Sequence, residues 1–471
     1  MLRPWLINLK IDKNSSKPVY IQIADEVIAY IKNGTLKAGE TLPGTRQIAS
    51  LLKVNRNTVV KAFDLLLSEG WLSASERKGS YVSHKLPSVI LHKKSENTEL
   101  QYSSKASADD FIFFDDGLPD ASCAPIRELA RSYHRIFARK AGWQVMNQAS
   151  EFGDIHFREA ISKMLNYNRG MNTSAPQICI TRGSQMAFYL TAQSLLKPND
   201  VVLVENPGFK PAWETFLHAG AKLVPISVDE QGICTDEVED VLKRYNVKAM
   251  HITPHHQYPT TVTLSLERRL RLIELSNEYR FTIIEDDYDN EYHFGQRPVM
   301  PVSAYEGLNN YVYVGTLSKL IAPAIRIGYI YSSTDFIEKA GSLRRIVDRQ
   351  GDSIMEQAIL ELIDSGDISR HKKRMVSYYL EKRDFFDSLL EHYMKGKIIY
   401  KKPDGGLAFW IQPVENRDLQ KIKEMANKKR IDFFTPDRFS FGEAIPGLRL
   451  GYASLPKENL EKGIEVLSRY L

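Results

Sequence analysis

The sequence predicts a multidomain chain: a small N-terminal module of three helices and a β-hairpin, then a polar linker, then a large α/β body. Three observations carry this. Helical periodicity ending in two short strand-like runs fills residues 1–85, whereas residues 86–110 are polar, Ser/Lys-rich and aperiodic. From residue 111 onward, short apolar runs alternate with helical stretches. At 471 residues the chain is also too long for one ordinary domain.

In the first segment, Ile23, Val27, Tyr30 and Ile31 share one helical face, and Gly34 closes that helix. TRQIASLL predicts a second helix capped by Thr45. Asn55 caps a third, with Val59, Ala62, Phe63 and Leu66 inward and Gly70 at its end. WLSAS and SYVSH, separated by RKG, read as a strand pair. Three helices and a hairpin make the plan of a winged helix-turn-helix.

The body supplies QICIT (177–181), DVVLVE (200–205), KAMHIT (248–253), FTIIED (281–286) and YVYVG (311–315) as buried strands, with helices at Ser184–Leu196 and Leu266–Tyr279 between them. This alternation predicts a parallel sheet covered on both faces, with ligand chemistry at the carboxyl ends of its strands. Residues 341–471 read as a smaller α+β subdomain.

Charge separates the two parts. Residues 1–85 hold 13 Lys+Arg against 7 Asp+Glu, leaving 50 against 51 for the remainder. A basic head on a neutral body suggests a polyanion partner. No uncharged apolar run reaches membrane-spanning length, and MLRPWLINLKIDK lacks a secretory pattern. Cys123, Cys179 and Cys234 are too few and too scattered for a disulfide framework or a zinc site, which fits a reducing cytoplasm.

The segment from Pro18 to Val82 resembles the GntR-type winged-helix DNA-binding domain nearly end to end. The resemblance implies that the third helix enters the major groove of a double-stranded operator, with Asn55, Arg56, Asn57 and Thr58 at its leading end. Arg56 suits guanine, Arg46 and Lys61 suit phosphates, and Lys78 and Gly79 lie in the wing. The sequence departs from the family at Gly44, where serine is preferred, and at Lys53, where glycine is preferred.

In the body, YVYVGTLSKLIAPAIRIGY places Lys319 just past a strand end, between hydroxyls and an arginine. That suits a cofactor with an aldehyde and a phosphate: Lys319 forms the imine, and Thr316, Ser318 and Arg326 bind phosphate oxygens. On the local pattern alone, a surface lysine is the alternative. IIEDDYD offers a carboxylate for a pyridine nitrogen, and strand alternation selects Asp286 over Glu285 and Asp287, with Tyr288 donating to the ring hydroxyl. A metal cluster is the rival there, but no histidine has ligand spacing. Gly183, Ser184 and Gln185 open a helix whose N-terminus favours phosphate, and Phe209 offers either a stacking face or a core aromatic.

TRGSQMA, ENPGF, TPHHQYPT, IIEDDYDNEY, GTLSKLIAPAIRIGY, HKKRMVSYY, PDGGLAFW and LRLGYA, in that order, resemble fold-type-I aminotransferases. Joined to the N-terminal module, they resemble the MocR subfamily of GntR regulators. The resemblance implies pyridoxal 5'-phosphate held as an internal aldimine on Lys319, paired with Asp286 and stacked on Phe209. It further implies His256 and Tyr258 at the cofactor edge and Arg449 gripping a ligand carboxylate. A homodimer is implied too, because such sites are assembled at a subunit interface. The function so implied is a regulator whose body senses a small amine, an amino acid or the cofactor itself. The alternative is an active aminotransferase with an appended DNA-binding domain. Three departures bear on that choice: Thr261 in place of glycine, Gln148 in place of a subunit-crossing tyrosine, and Pro211 where some relatives carry a second arginine.

Overall fold

The computed structural model describes residues 9–13, 15–75, 79–84, 86, 111–139, 147, 150–295 and 299–471. The chain separates into two compact units, Met1–Ser104 and Lys105–Leu471. The linker expected at 86–110 lies, but for Leu86, outside the described residues, as do Lys78 and Gln148.

The first unit consists of helices Val19–Lys32, Thr45–Leu52 and Arg56–Ser68 and an antiparallel hairpin of Leu72–Ser75 with Gly79–Val82. Ile23, Val27, Ile31, Val59, Phe63 and Leu66 share its core with Trp71 and Val82. Asn55 caps the third helix as expected, its side chain accepting from Asn57 N at 2.9 Å. Thr45 does not cap the second. It is the first helical residue, and Gly44 occupies the cap with no side chain to offer. The serine preferred at that position would supply the missing acceptor. Lys53, at the end of the second helix, adopts φ 51°, a left-handed conformation in which glycine is cheaper.

The second unit is built on an eight-stranded sheet ordered Ile178–Thr181, Gly328–Tyr331, Tyr311–Thr316, Thr282–Asp287, Val247–Ile252, Val201–Asn206, Lys222–Asp229 and Gly232–Ile233. All five runs expected as strands are present. The sheet is mixed rather than purely parallel, because Gly328–Tyr331 runs antiparallel to both its neighbours. Only eleven residues separate it from Tyr311–Thr316, too few for a crossover to a parallel neighbour.

A three-stranded antiparallel sheet, Ile398–Tyr400, Ala408–Pro413 and Leu448–Gly451, packs with the long helix Asp367–Met394 in a second core. Ile112 and Phe114 join this core, and their strand pairs in parallel with Ile431–Phe433. Ile337 and Ala340 of the helix Thr334–Val347 instead pack into the core of the large sheet. Among the described residues no helix is long and apolar enough to cross a membrane.

Candidate functional site

The carboxyl ends of the central strands converge on one cavity of about 180 Å³. Its lining includes Ser184, Phe209, Tyr258, Asp286, Tyr288, Thr316, Ser318, Lys319 and Arg326, together with Asp116 and Leu118 from the start of the unit. Nine residues singled out in the sequence, from five separate segments, therefore share one wall.

Lys319 lies in the turn after Tyr311–Thr316. Its Nζ donates to the Gly117 carbonyl and sits 5.6 Å from the Tyr288 ring centroid. Gly315 is required just before it, since a Cβ there would come within 2.3 Å of the Tyr329 ring. Asp286 is buried with Oδ1 unpartnered. Burial drives its carboxyl well above the usual range, the neighbouring carboxylates of Asp287, Asp289 and Glu205 add to this, and Lys319 opposes it. Of the three acids, Asp286 alone lines the cavity. Glu285 accepts from Val302 N and Ser303 N, both at 2.8 Å, and Asp287 takes Arg169 at 2.7 Å and the Tyr313 hydroxyl at 2.6 Å.

Gly183 opens the helix Gly183–Leu195 with φ 73°, and a Cβ on it would lie 2.7 Å from the Arg326 guanidinium. Thr316 Oγ1 donates to Ile327 O at 3.0 Å and accepts from Ser318 N at 3.1 Å, while Ser318 Oγ is buried without a partner. Arg326 Nη2 donates to Arg182 O at 3.2 Å. Helix N-terminus, hydroxyls and guanidinium thus stand at one end of the cavity, the composition a phosphate requires. Gln185 turns aside and donates to Pro211 O at 3.0 Å.

Phe209 follows the strand Val201–Asn206 and meets Tyr258 edge-on, with ring centroids 5.2 Å apart. The Tyr288 hydroxyl donates to His256 O at 3.0 Å. His256 lies behind the cavity, its Nδ1 2.8 Å from Asp289 Oδ1. Arg449 is fully buried: it donates to Asp116 O and Pro259 O at 2.8 Å each and to the Tyr288 hydroxyl at 3.2 Å, and lies 4.9 Å from the Tyr258 ring centroid. It borders the cavity through Tyr288 and Tyr258 rather than by its own surface. Thr261 adopts φ 64° and donates its N–H to Gln257 O at 2.7 Å, so the turn keeps the conformation that glycine would favour.

Two features were not anticipated. Asp116 lines the cavity from a loop more than 60 residues before the first sheet strand, and Tyr258 donates to its carboxylate at 3.2 Å. His255, His256 and His293 also cluster. The only trace of the cluster in the sequence is histidine just past the ends of two strands that prove adjacent.

In the first unit, Arg46, Asn55, Arg56, Asn57 and Lys61 are exposed and Thr58 is half-buried around the leading end of the third helix. Gly79 is exposed at the start of the second hairpin strand with φ 69°.

Residues 134–467 match the aminotransferase class I and II family. The chain belongs to that family. Residues 19–82 match the gntR family of bacterial regulatory proteins, so a helix-turn-helix head precedes an aminotransferase body. The probable rhizopine catabolism regulatory protein MocR of Rhizobium meliloti is 27% identical over 98% of this chain and 95% of its own length. Aromatic-amino-acid aminotransferase 1 of Thermococcus litoralis is 27% identical, covering 76% of this chain and 87% of its own. Among solved structures, the kynurenine aminotransferase of Pyrococcus horikoshii, crystallised with PMP, superposes with a TM-score of 0.72 at 26% identity, covering 77% of this chain and 90% of that one.

Proposed function

We propose that this chain is a DNA-binding transcriptional regulator whose aminotransferase-like body holds pyridoxal 5'-phosphate on Lys319 and senses a small amine or amino acid. The observation that carries it is the convergence of Lys319, Asp286, Phe209 and the Gly183–Ser184, Thr316, Ser318 and Arg326 group around one cavity, in a chain headed by a gntR-type module. The orphaned Asp286 Oδ1 and Ser318 Oγ fit a ligand with a basic ring nitrogen and an anionic group.

When bound, the cofactor supplies an aldehyde carbon able to exchange one amine for another. Lys319 Nζ would hold it covalently and, as a free amine, would be the group able to take up a proton beside it. The Asp286 carboxylate holds a proton on the ring nitrogen, its own raised pKa offset by that new partner. Phe209 would offer an aromatic face to the ring, and Tyr258 and Leu118 complete the apolar part of the lining. Arg449 provides a buried positive charge, which burial opposes and the surrounding Tyr288, Tyr258, Asp289 and Asp116 sustain, behind the position for a ligand carboxylate.

Regulation follows if the amine-loaded body favours one arrangement of the protein, which shifts the population competent for DNA. The chain acts in the cytoplasm as a homodimer reading paired half-sites. The 1–85 head, 86–110 linker and 111–471 body, with its smaller part from about 341, are the working divisions.

The nine shared lining residues also favour a second reading, an active aminotransferase with a DNA-binding head. Both readings are tested by titrating purified protein with amines while recording its visible spectrum and its affinity for its own promoter DNA. A spectral shift with altered DNA affinity and no sustained turnover supports the sensor. Continuous conversion of an amino acid and 2-oxo acid pair, without any effect on DNA binding, supports the enzyme.

A further inference from the structure

Three histidines that are absent from the cavity lining meet beside Tyr288. His255 and His256 follow the strand Val247–Ile252, His293 follows Thr282–Asp287, and those strands are parallel neighbours. One ligand-capable nitrogen from each lies within 4.8 Å of the other two. A tetrahedral ion with metal–nitrogen bonds of ~2.0–2.1 Å needs nitrogens about 3.4 Å apart. An inward shift of under ~1 Å per ring, within reach of a small χ rotation, closes that difference.

Three further features single out this cluster. The Asp289 carboxylate, 2.8 Å from His256 Nδ1 and buried with it, engages that nitrogen and leaves Nε2 as the ligand atom of that ring. A carboxylate behind the imidazole is the arrangement that orients metal-bound histidine and makes it more basic. His255 Nε2 is buried with no hydrogen-bond partner. Among the described residues the only ion-pair partner of the Asp289 carboxylate is His256, and the Arg449 charge acts on it from beyond ion-pair distance. A dication would satisfy the lone nitrogen and bring positive charge close to the Asp289–His256 pair. The nearby Arg169 is already neutralised by Asp287 at 2.7 Å.

We propose that His255, His256 and His293 form a binding site for a borderline divalent transition-metal cation of the zinc and cobalt class, with Asp289 orienting His256. Neutral imidazoles without thiolate or a second carboxylate select such ions over magnesium or calcium. The site is coupled to the cavity through one short path. Tyr288 donates to the His256 carbonyl, and Arg449 donates to the Tyr288 hydroxyl. A bound ion would therefore stiffen the loop that places Tyr288.

The test uses the full chain, purified without a histidine tag, stripped with chelator and dialysed against Co²⁺. The expected result is one cobalt per chain by elemental analysis, with ligand-field absorption that Zn²⁺ abolishes. His255→Ala and His293→Gln should each lose the bound cobalt, and Asp289→Asn should weaken it about tenfold or more. The exposed His156→Ala should leave it unchanged. Lys319→Ala, which removes the covalent cofactor anchor, should retain cobalt, so this site stands or falls independently of the cofactor reading. Circular dichroism and melting of the metal-free variants check that they are folded, and the half-buried His293→Gln serves should His255→Ala fail to fold. Sub-stoichiometric cobalt in the parent chain, or full binding that survives a folded His293→Gln, would overturn the proposal.

Discussion

Arg449 donates to the Tyr288 hydroxyl at 3.2 Å while two more of its five N–H groups are held by the carbonyls of Asp116 and Pro259. The guanidinium is thus fixed before any ligand arrives, and a carboxylate meets a pre-oriented charge. Arg449→Gln should abolish the spectral response to amino acids but preserve that to amines lacking a carboxylate. Two buried carbonyls would lose a charged donor, so the variant should also be less stable by about 1–3 kcal/mol. Parallel amine titrations and denaturant melts read the two effects.

Lys319 touches the protein mainly through Gly117 O and the Tyr288 ring. Removing it costs little packing, so Lys319→Ala should fold with stability within about 1 kcal/mol of the parent. It should lose the visible band of covalently held cofactor completely. Operator affinity without amine should remain within about threefold, because the gntR-type module lies in the other compact unit.

What the sequence disclosed and withheld follows the range of each signal. Strand alternation told Asp286 from Glu285 and Asp287, because neighbouring residues on a strand face opposite ways, and that rule is local. Lys319, Phe209 and Gly183 were legible for a related reason: each lies just past an apolar run, and parallel strands present those ends together. The pairing of Ile112–Phe114 with Ile431–Phe433 was not legible, since nothing local encodes a partner so distant in the chain. Arg449's partners and the meeting of His293 with His255 and His256 depend on the same long-range adjacency. The Thr45 reading failed on a one-residue choice, since threonine at the first helical position and threonine at the cap look alike in sequence.

Glu205 lies fully buried under the cavity floor, where its carboxylate accepts from Thr253 N at 3.1 Å and Gln257 Nε2 at 3.2 Å. Burial pushes it from 4.5 up to about 7, against those hydrogen bonds. The folded state therefore holds this proton more tightly than the unfolded chain. Its contribution to stability is full below about pH 4.5 and is lost as pH rises through about 7. Glu205→Gln keeps an acceptor for the same donors and should stabilise the protein by roughly 2–4 kcal/mol at pH 8, with little effect at pH 4.5. Glu291, also pushed up to about 7 by burial, should leave a residual slope in the variant. Urea melts across that pH window measure both.

Thr261 occupies φ 64°, where a β-branched side chain crowds the following carbonyl. The strain of about 1–2 kcal/mol is offset in part by the extra freedom glycine has when unfolded, about 0.5–1 kcal/mol. Thr261→Gly should therefore raise stability by roughly 0.5–1 kcal/mol, visible as a small upward shift in the melting temperature.

Arg56 and Lys61 lie on the same helix but should fail differently. Arg56 is the first residue of that helix, just after the Asn55 cap, where a side chain reaches base edges. Lys61 lies further along the helix and is exposed, and a phosphate contact is the role proposed for it. Arg56→Ala should cost about 1–3 kcal/mol on the operator and flatten preference at one base pair. Lys61→Ala should weaken specific and non-specific DNA alike and reduce the slope of log K against log salt by about 0.9. Binding isotherms at several salt concentrations, on operator and scrambled duplexes, separate the two. Identical salt slopes for parent and Lys61→Ala would remove Lys61 from the phosphate contacts, and unchanged base preference in Arg56→Ala would remove Arg56 from direct readout.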